Sequence, residues 1–166
     1  MAGFLLAEIL EKQVQGKRPV ALLGYGPGAT IVFHCLLELH KRSQGSLIYS
    51  ATLIALPEGP SAVQWAAARS VVSYEVVNCY SDRDWVGAIA ARLYTLSAKV
   101  AGLRAVGVEG IRDVEVSDLV GGHLQLRQRV GQIMERVRTG EGSSTVKTED
   151  KEAAAAEEAQ AEDVVV

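Results

Sequence analysis

Hydrophobic and polar positions along this chain fall into alternating blocks of two kinds. Three blocks are short and nearly continuous in apolar residues, Val20–Tyr25 (VALLGY), Ala51–Leu56 (ATLIAL) and Glu75–Tyr80 (EVVNCY), and a fourth, Ile111–Val116 (IRDVEV), alternates. Pro19 and a run of glycines bound the first, and Pro57 follows the second. Continuous apolar runs of this length predict strands of a parallel sheet covered on both faces. The blocks between them repeat at helical spacing. Ala29–Arg42 places Ile31, Val32, Cys35, Leu36 and Leu39 on one face and ends in Lys41 and Arg42, which suit a helix C-terminus. Ser61–Val71 is alanine-rich with Trp65 as its anchor, and Gly121–Arg138 carries Leu124, Leu126, Val130, Ile133, Met134 and Val137. The N-terminal MAGFLLAEILEKQ and the stretch Trp85–Leu103 complete the helices. The resulting order, α-β-α-β-α-β-α-β-α, predicts an α/β layered fold with right-handed crossovers.

This pattern stops near Thr139. The predicted organisation is therefore a structured body over 1–138 and a tail over 139–166, rich in Ala and Glu and expected to be disordered. Charge separates the two parts. From Glu141 onward there are eight acids and two lysines, a local charge of −6, within a net charge of −3 for all 166 residues. A near-neutral body with an acidic tail argues against nucleic acid as a partner. The N-terminus lacks the basic region and cleavage site of a signal peptide, and no apolar run is long enough to span a bilayer. Cys35 and Cys79 have no partner ligands at metal-binding spacing, so no metal or cofactor is expected.

The chemistry concentrates in the turn between the first strand and its helix, LLGYGPGATI over Leu22–Ile31. Three readings apply. Gly24, Gly26 and Ala29 satisfy a dinucleotide fingerprint, G-x-G-x-x-A, which would make the domain nucleotide-binding and Rossmann-like. Pro27 removes an N–H that a pyrophosphate would need, and the acid expected after the second strand, Glu58, comes late. The second reading is a nucleophile elbow, G-x-S-x-G, with Gly24 and Gly28 allowing strand and helix to approach and Gly26 standing where the nucleophile belongs. Glycine tolerates the strained conformation of that position but has no Oγ to attack a carbonyl. The third is a packing turn with no ligand. A hydrolase triad continues along the chain with an acid and then a histidine. Asp84, with Asp82 as its local competitor, follows the third strand, and His123 follows the fourth after two glycines. His34 and His40 lie within the first long helix and read as ordinary helical residues.

These motifs resemble the C-terminal part of the membrane-associated α/β-hydrolase-like family that includes transmembrane and coiled-coil domain-containing protein 4. The resemblance rests on PVALLGYGPGATIVFHCLLEL, ATLIALPEGPSAVQWAAARSVVS, VVNCYSDRDWV, YTLSAKVAGLRAVGV and VEVSDLVGGHLQLRQRV, and covers Arg18 to about Arg138. It implies a partial α/β-hydrolase-like parallel sheet of about four strands flanked by helices. It also implies a lipase- or esterase-type domain, membrane-associated in its longer forms and otherwise cytoplasmic. Asp84 and His123 match the family's acid and base, whereas Gly26 and Pro27 depart from its G-[YF]-S-L-G-A elbow. Ser61, Ser81 and Ser117 have no elbow around them. The implied function is a hydrolase-like domain that has lost serine catalysis, a pseudoenzyme or a fragment. The alternative is a non-catalytic membrane-associated scaffold or trafficking module. The early strands of such a sheet are missing from this chain, so a protein partner covering the open sheet edge is expected. Trp85–Leu103 carries only Arg92 and Lys99 as charges, seven apart on one helical face, and could rest on a membrane surface.

Overall fold

A computed structural model describes residues 1–14, 16–82, 100–119 and 128–145. The four expected strands are present as β1 (Val20–Tyr25), β2 (Ile48–Ile54), β3 (Val72–Tyr80) and β4 (Ile111–Glu115), and all pair in parallel. Their spatial order follows their sequence order, and a short β5 (Ser143–Thr145) adds antiparallel to β4. The arrangement is that of a mostly parallel α/β sheet flanked by helices, compatible with part of an α/β-hydrolase sheet. Several limits differ from the expectation: β2 runs over Ile48–Ile54 where Ala51–Leu56 was expected, and β4 ends at Glu115, one residue short of Val116. β3 begins three residues before Glu75, because the exposed Tyr74 stacks on Tyr49 of β2 at 5.2 Å between ring centroids. The expected tail boundary at 138/139 falls inside a helix, and β5 lies beyond it; its polar Ser-Ser-Thr sequence carries no apolar signal.

Helices α1 (Ala2–Glu11), α2 (Pro27–Lys41) and α3 (Ala62–Ser70) cover one face of the sheet. α2 begins two residues earlier than its apolar spacing indicates, because Pro27 suits the first helical residue, where no N–H is needed. Ser61 and Gln64 form a reciprocal capping box at the start of α3. Phe33 of α2 meets Trp65 of α3 edge-on at 4.9 Å, and Trp65 is buried as its anchoring role requires. On the other face, α4 (Val130–Thr139) packs Ile133 and Val137 against Ile54, Val77, Cys79 and Val114. Arg112 of β4 fixes that helix: it holds Glu75 through two hydrogen bonds of 2.9 and 3.0 Å and donates to the Val137 carbonyl at 2.9 Å. Among the described residues, no helix is long and apolar enough to cross a membrane.

Both cysteines are free and fully buried, one on each side of the sheet. Burial pushes each thiol up from its ordinary 9.0 to about 12. Neither is expected to react with a maleimide until the chain unfolds, which mass spectrometry under native and denaturing conditions would read. The linkage has a definite sign. The unfolded thiol loses its proton near pH 9 and the folded one does not, so stability is full below pH 9 and declines from there towards pH 12. The slope is at most about 1.4 kcal/mol per pH unit per thiol. Replacing both cysteines with alanine should flatten that alkaline limb in a denaturant titration.

Candidate functional site

Because β1 to β4 are parallel, the chain leaves every one of them at the same edge of the sheet. Gly26 stands at that edge between β1 and α2. Its φ of 51° and ψ of −120° lie in a region that L side chains rarely adopt. The turn is held firmly: the Gly26 N–H donates to the Ile54 carbonyl at 2.9 Å, and the Gly26 carbonyl accepts from Ala29 at 2.9 Å and Thr30 at 3.3 Å. The chain reverses sharply here from strand to helix. Among the described residues nothing lies within 4 Å of where a Cβ at position 26 would project.

Gly24 has the opposite surroundings. A Cβ on it would come within 2.6 Å of the Ala29 Cα and 2.7 Å of the Gly28 carbonyl oxygen. Strand and helix therefore touch through bare backbone at Gly24. Gly28 does not share this role, contrary to the expectation from the elbow pattern: a Cβ on Gly28 would find nothing within 4 Å. The helix start carries the contact, and Gly28 lies on its outer side.

The next residue, Pro27, matters as much as Gly26. In an elbow of this type the backbone N–H of the residue after the nucleophile forms half of the oxyanion hole. Proline has no N–H. The turn thus lacks both the attacking oxygen and one of the donors that would stabilise the oxyanion. The serines singled out from the sequence do not replace the nucleophile. Ser61 is engaged as the helix cap, Ser81 is buried, and Ser117 is buried with its Oγ accepting the Asp82 N–H at 3.1 Å.

Asp84, His123, Arg92 and the stretch Trp85–Lys99 lie outside the described residues. Two histidine contacts do appear that sequence reasoning missed. His34 Nε2 lies 3.1 and 3.3 Å from the Glu58 carboxylate oxygens, joining α2 to the loop after β2. Glu58, the acid that the dinucleotide reading would assign to a ribose, is thus turned to a histidine. His40 Nδ1 lies 2.8 Å from Ser70 Oγ, whose own proton goes to the Ala67 carbonyl at 2.7 Å. That hydroxyl must accept from His40, so the pair has the wrong proton direction for a nucleophile and its base. Partners 24 and 30 residues apart leave no local pattern to detect.

A buried polar clamp stands behind this edge. Asn78 of β3 and Asp113 of β4 are register neighbours, exposed by 0% and 2%. Asn78 Nδ2 donates to Asp113 Oδ1 at 2.8 Å and to the carbonyls of Ala101 at 3.1 Å and Arg104 at 3.3 Å. Asp113 also accepts the N–H groups of Val106 and Gly107, each at 3.0 Å. The sheet interior thereby holds the segment 101–107, whose first residues bond the loop after β2 at Glu58 and Leu56. Among the described residues no cluster of His, Cys, Asp and Glu could hold a metal ion.

Comparison with known proteins agrees over most of the chain. The family described as "Protein of unknown function (DUF726)" matches residues 1–140. "Transmembrane and coiled-coil domain-containing protein STS1" of Oryza sativa subsp. japonica is 38% identical over 137 residues, which are 82% of this chain and 21% of that protein. "Probable lipase MIL1" of Saccharomyces cerevisiae is 36% identical over 143 residues, 82% of this chain and 13% of that protein. An uncharacterized membrane protein of Caenorhabditis elegans is 32% identical, with 81% of this chain and 22% of its own length covered. The chain therefore spans about a fifth or less of the length of these relatives. No solved structure matches.

Proposed function

The chain belongs to the DUF726 family, and from that premise we propose that it is a hydrolase-like domain of a membrane-associated family, with an elbow that no longer supports serine catalysis. The observation that carries this reading is the conformation of Gly26, that of an elbow nucleophile, beside a proline that withholds the oxyanion donor. The printed name of the yeast relative, "Probable lipase MIL1", supports the hydrolase-like part. The relatives named as membrane proteins support the association with membranes. In the sequence Asp84 and His123 follow the ends of β3 and β4 by four and eight residues. In this reading they are the remnant acid and base of a triad, in which the histidine would take the nucleophile's proton and the aspartate would orient it. With no Oγ to deprotonate, the pair has no acyl-enzyme to form. The second reading, a scaffold or trafficking module, is favoured by the same loss of both groups beside a retained, tightly packed turn.

A fluorophosphonate probe tests the proposal. The natural chain should remain unlabelled. Gly26→Ser together with Pro27→Leu should be labelled at position 26, because this double variant restores both Oγ and N–H. Gly26→Ser alone should react about a hundredfold or more slowly than the double variant, the usual effect of one missing oxyanion donor. Labelling of the natural chain at any serine would overturn the loss of catalysis. A folded double variant that stays unlabelled would favour the scaffold.

A further inference from the structure

Between the start of α3 and the segment 101–108 lies a cavity of about 260 Å³, bordered by Ala62 and Trp65 on one side and by Ala101, Arg104, Val106 and Val108 on the other. Both walls are fixed. The buried clamp holds the segment, with Asn78 on the Arg104 carbonyl and Asp113 on the Val106 and Gly107 N–H groups. The capping box of Ser61 and Gln64 holds the start of the helix. A ligand entering here has little chain to order, which favours binding.

The polar groups around the cavity are donors. Trp65 is 1% exposed, and its indole N–H has no hydrogen-bond partner among the described residues. Folded chains seldom leave a buried donor in that state. Phe33 packs on the same ring, and the cavity borders the residue. Arg104 is exposed, and among the described residues no carboxylate pairs with it. The first turn of α3 contains no acid, and the Ser61 hydroxyl serves only the Gln64 N–H. The N–H groups of Ala62 and Val63 therefore add to the positive end of the helix. None of the described residues lining the cavity is acidic, and the rest of the wall is apolar. We propose that this cavity binds a small aliphatic carboxylate. Its oxygens take the Trp65 N–H and the Arg104 guanidinium, and its hydrocarbon chain rests against Val106 and Val108. A phosphate suits the site less, because its further oxygens would face apolar side chains unpaired. At about 30 Å³ for each water-sized group, the cavity takes about eight or nine non-hydrogen atoms, the size of hexanoate. None of these residues belongs to the turn at Gly26, and binding here is independent of serine chemistry there.

The test is a titration of the whole, nitrogen-15-labelled chain with sodium hexanoate, read by NMR. The chain has two tryptophans, and the signal of Trp65 is the indole resonance lost in Trp65→Phe. That resonance and the Ala62 and Val63 amides should shift together and saturate at millimolar hexanoate. Acetate has the charge without the chain, and hexanamide has the chain without the charge. Each should bind at least tenfold more weakly. Arg104→Gln and Ala62→Glu alter exposed positions. Both should keep the circular dichroism of the natural chain and weaken hexanoate at least tenfold. The proposal is overturned if the indole resonance stays where it is, or if Arg104→Gln binds hexanoate as tightly as the natural chain. Inorganic phosphate moving the resonance as readily as hexanoate would make this a general anion site and overturn it equally.

Discussion

Gly24→Ala is expected to destabilise the chain by about 3 kcal/mol or more, at the upper end of overpacking substitutions. That is a fall in melting temperature of about 10 °C for a chain of this size. The added Cβ would sit 2.6 to 2.8 Å from backbone atoms of Ala29 and Gly28, and no rotamer change relieves a clash with backbone. Either α2 lifts from β1 or the ladder to β2 distorts. Two neighbouring substitutions are internal controls. Gly26→Ala meets no atom of the described residues within 4 Å and bears the conformational cost of its positive φ, about 1–2 kcal/mol. Gly28→Ala, with open space and an ordinary helical position, should be neutral or slightly stabilising. Thermal melts of the three variants should rank Gly24 worst, Gly26 next and Gly28 least. A Gly24→Ala chain as stable as the natural one would refute the packing account.

Asp113→Ala should cost about 3–5 kcal/mol. It strands the Val106 and Gly107 N–H groups and frees one of the bonds of the buried Asn78 amide. A buried donor left without an acceptor costs about 1–3 kcal/mol. Asp113→Asn is the finer probe, since its amide group can replace only one of the two acceptor oxygens and should fall between the two. Hydrogen exchange separates this clamp from a general loss of core. The Val106 and Gly107 amides should lose protection at denaturant concentrations where β2 and β3 still keep theirs. Uniform loss across the sheet would show that Asp113 holds the whole fold rather than the segment 101–107.

Three of the parallel strands were legible because they obey one rule, continuous apolar runs punctuated by Pro and Gly, and β4 because it alternates. Val20–Tyr25 is found at its expected limits for that reason. Where two rules competed, limits moved. Pro27 reads as a breaker by propensity, yet it opens α2 because the first helical residue needs no N–H. The turn itself was legible as a glycine spacing, but the division of labour within it was not. Gly24 and Gly28 are equivalent in the pattern and differ only in which side of the helix start each one faces. Asp113 was hidden for another reason. In IRDVEV it reads as a polar residue of an alternating strand, and only the register with Asn78 turns it inward. His34 and Glu58 meet across two elements, a juxtaposition created by the packing of α2 and invisible in either segment alone.

The adjacency of Gly26 and Pro27 has an evolutionary consequence. On the proposed reading, a single change at position 26 supplies an oxygen without its oxyanion donor, and a single change at position 27 supplies a donor with nothing to serve. Neither intermediate offers selection much esterase activity to act on. On the proposed reading, sequence drift across this pair would behave as a ratchet: with both positions changed, serine chemistry is two coordinated steps away, while the surfaces of the domain remain free to evolve.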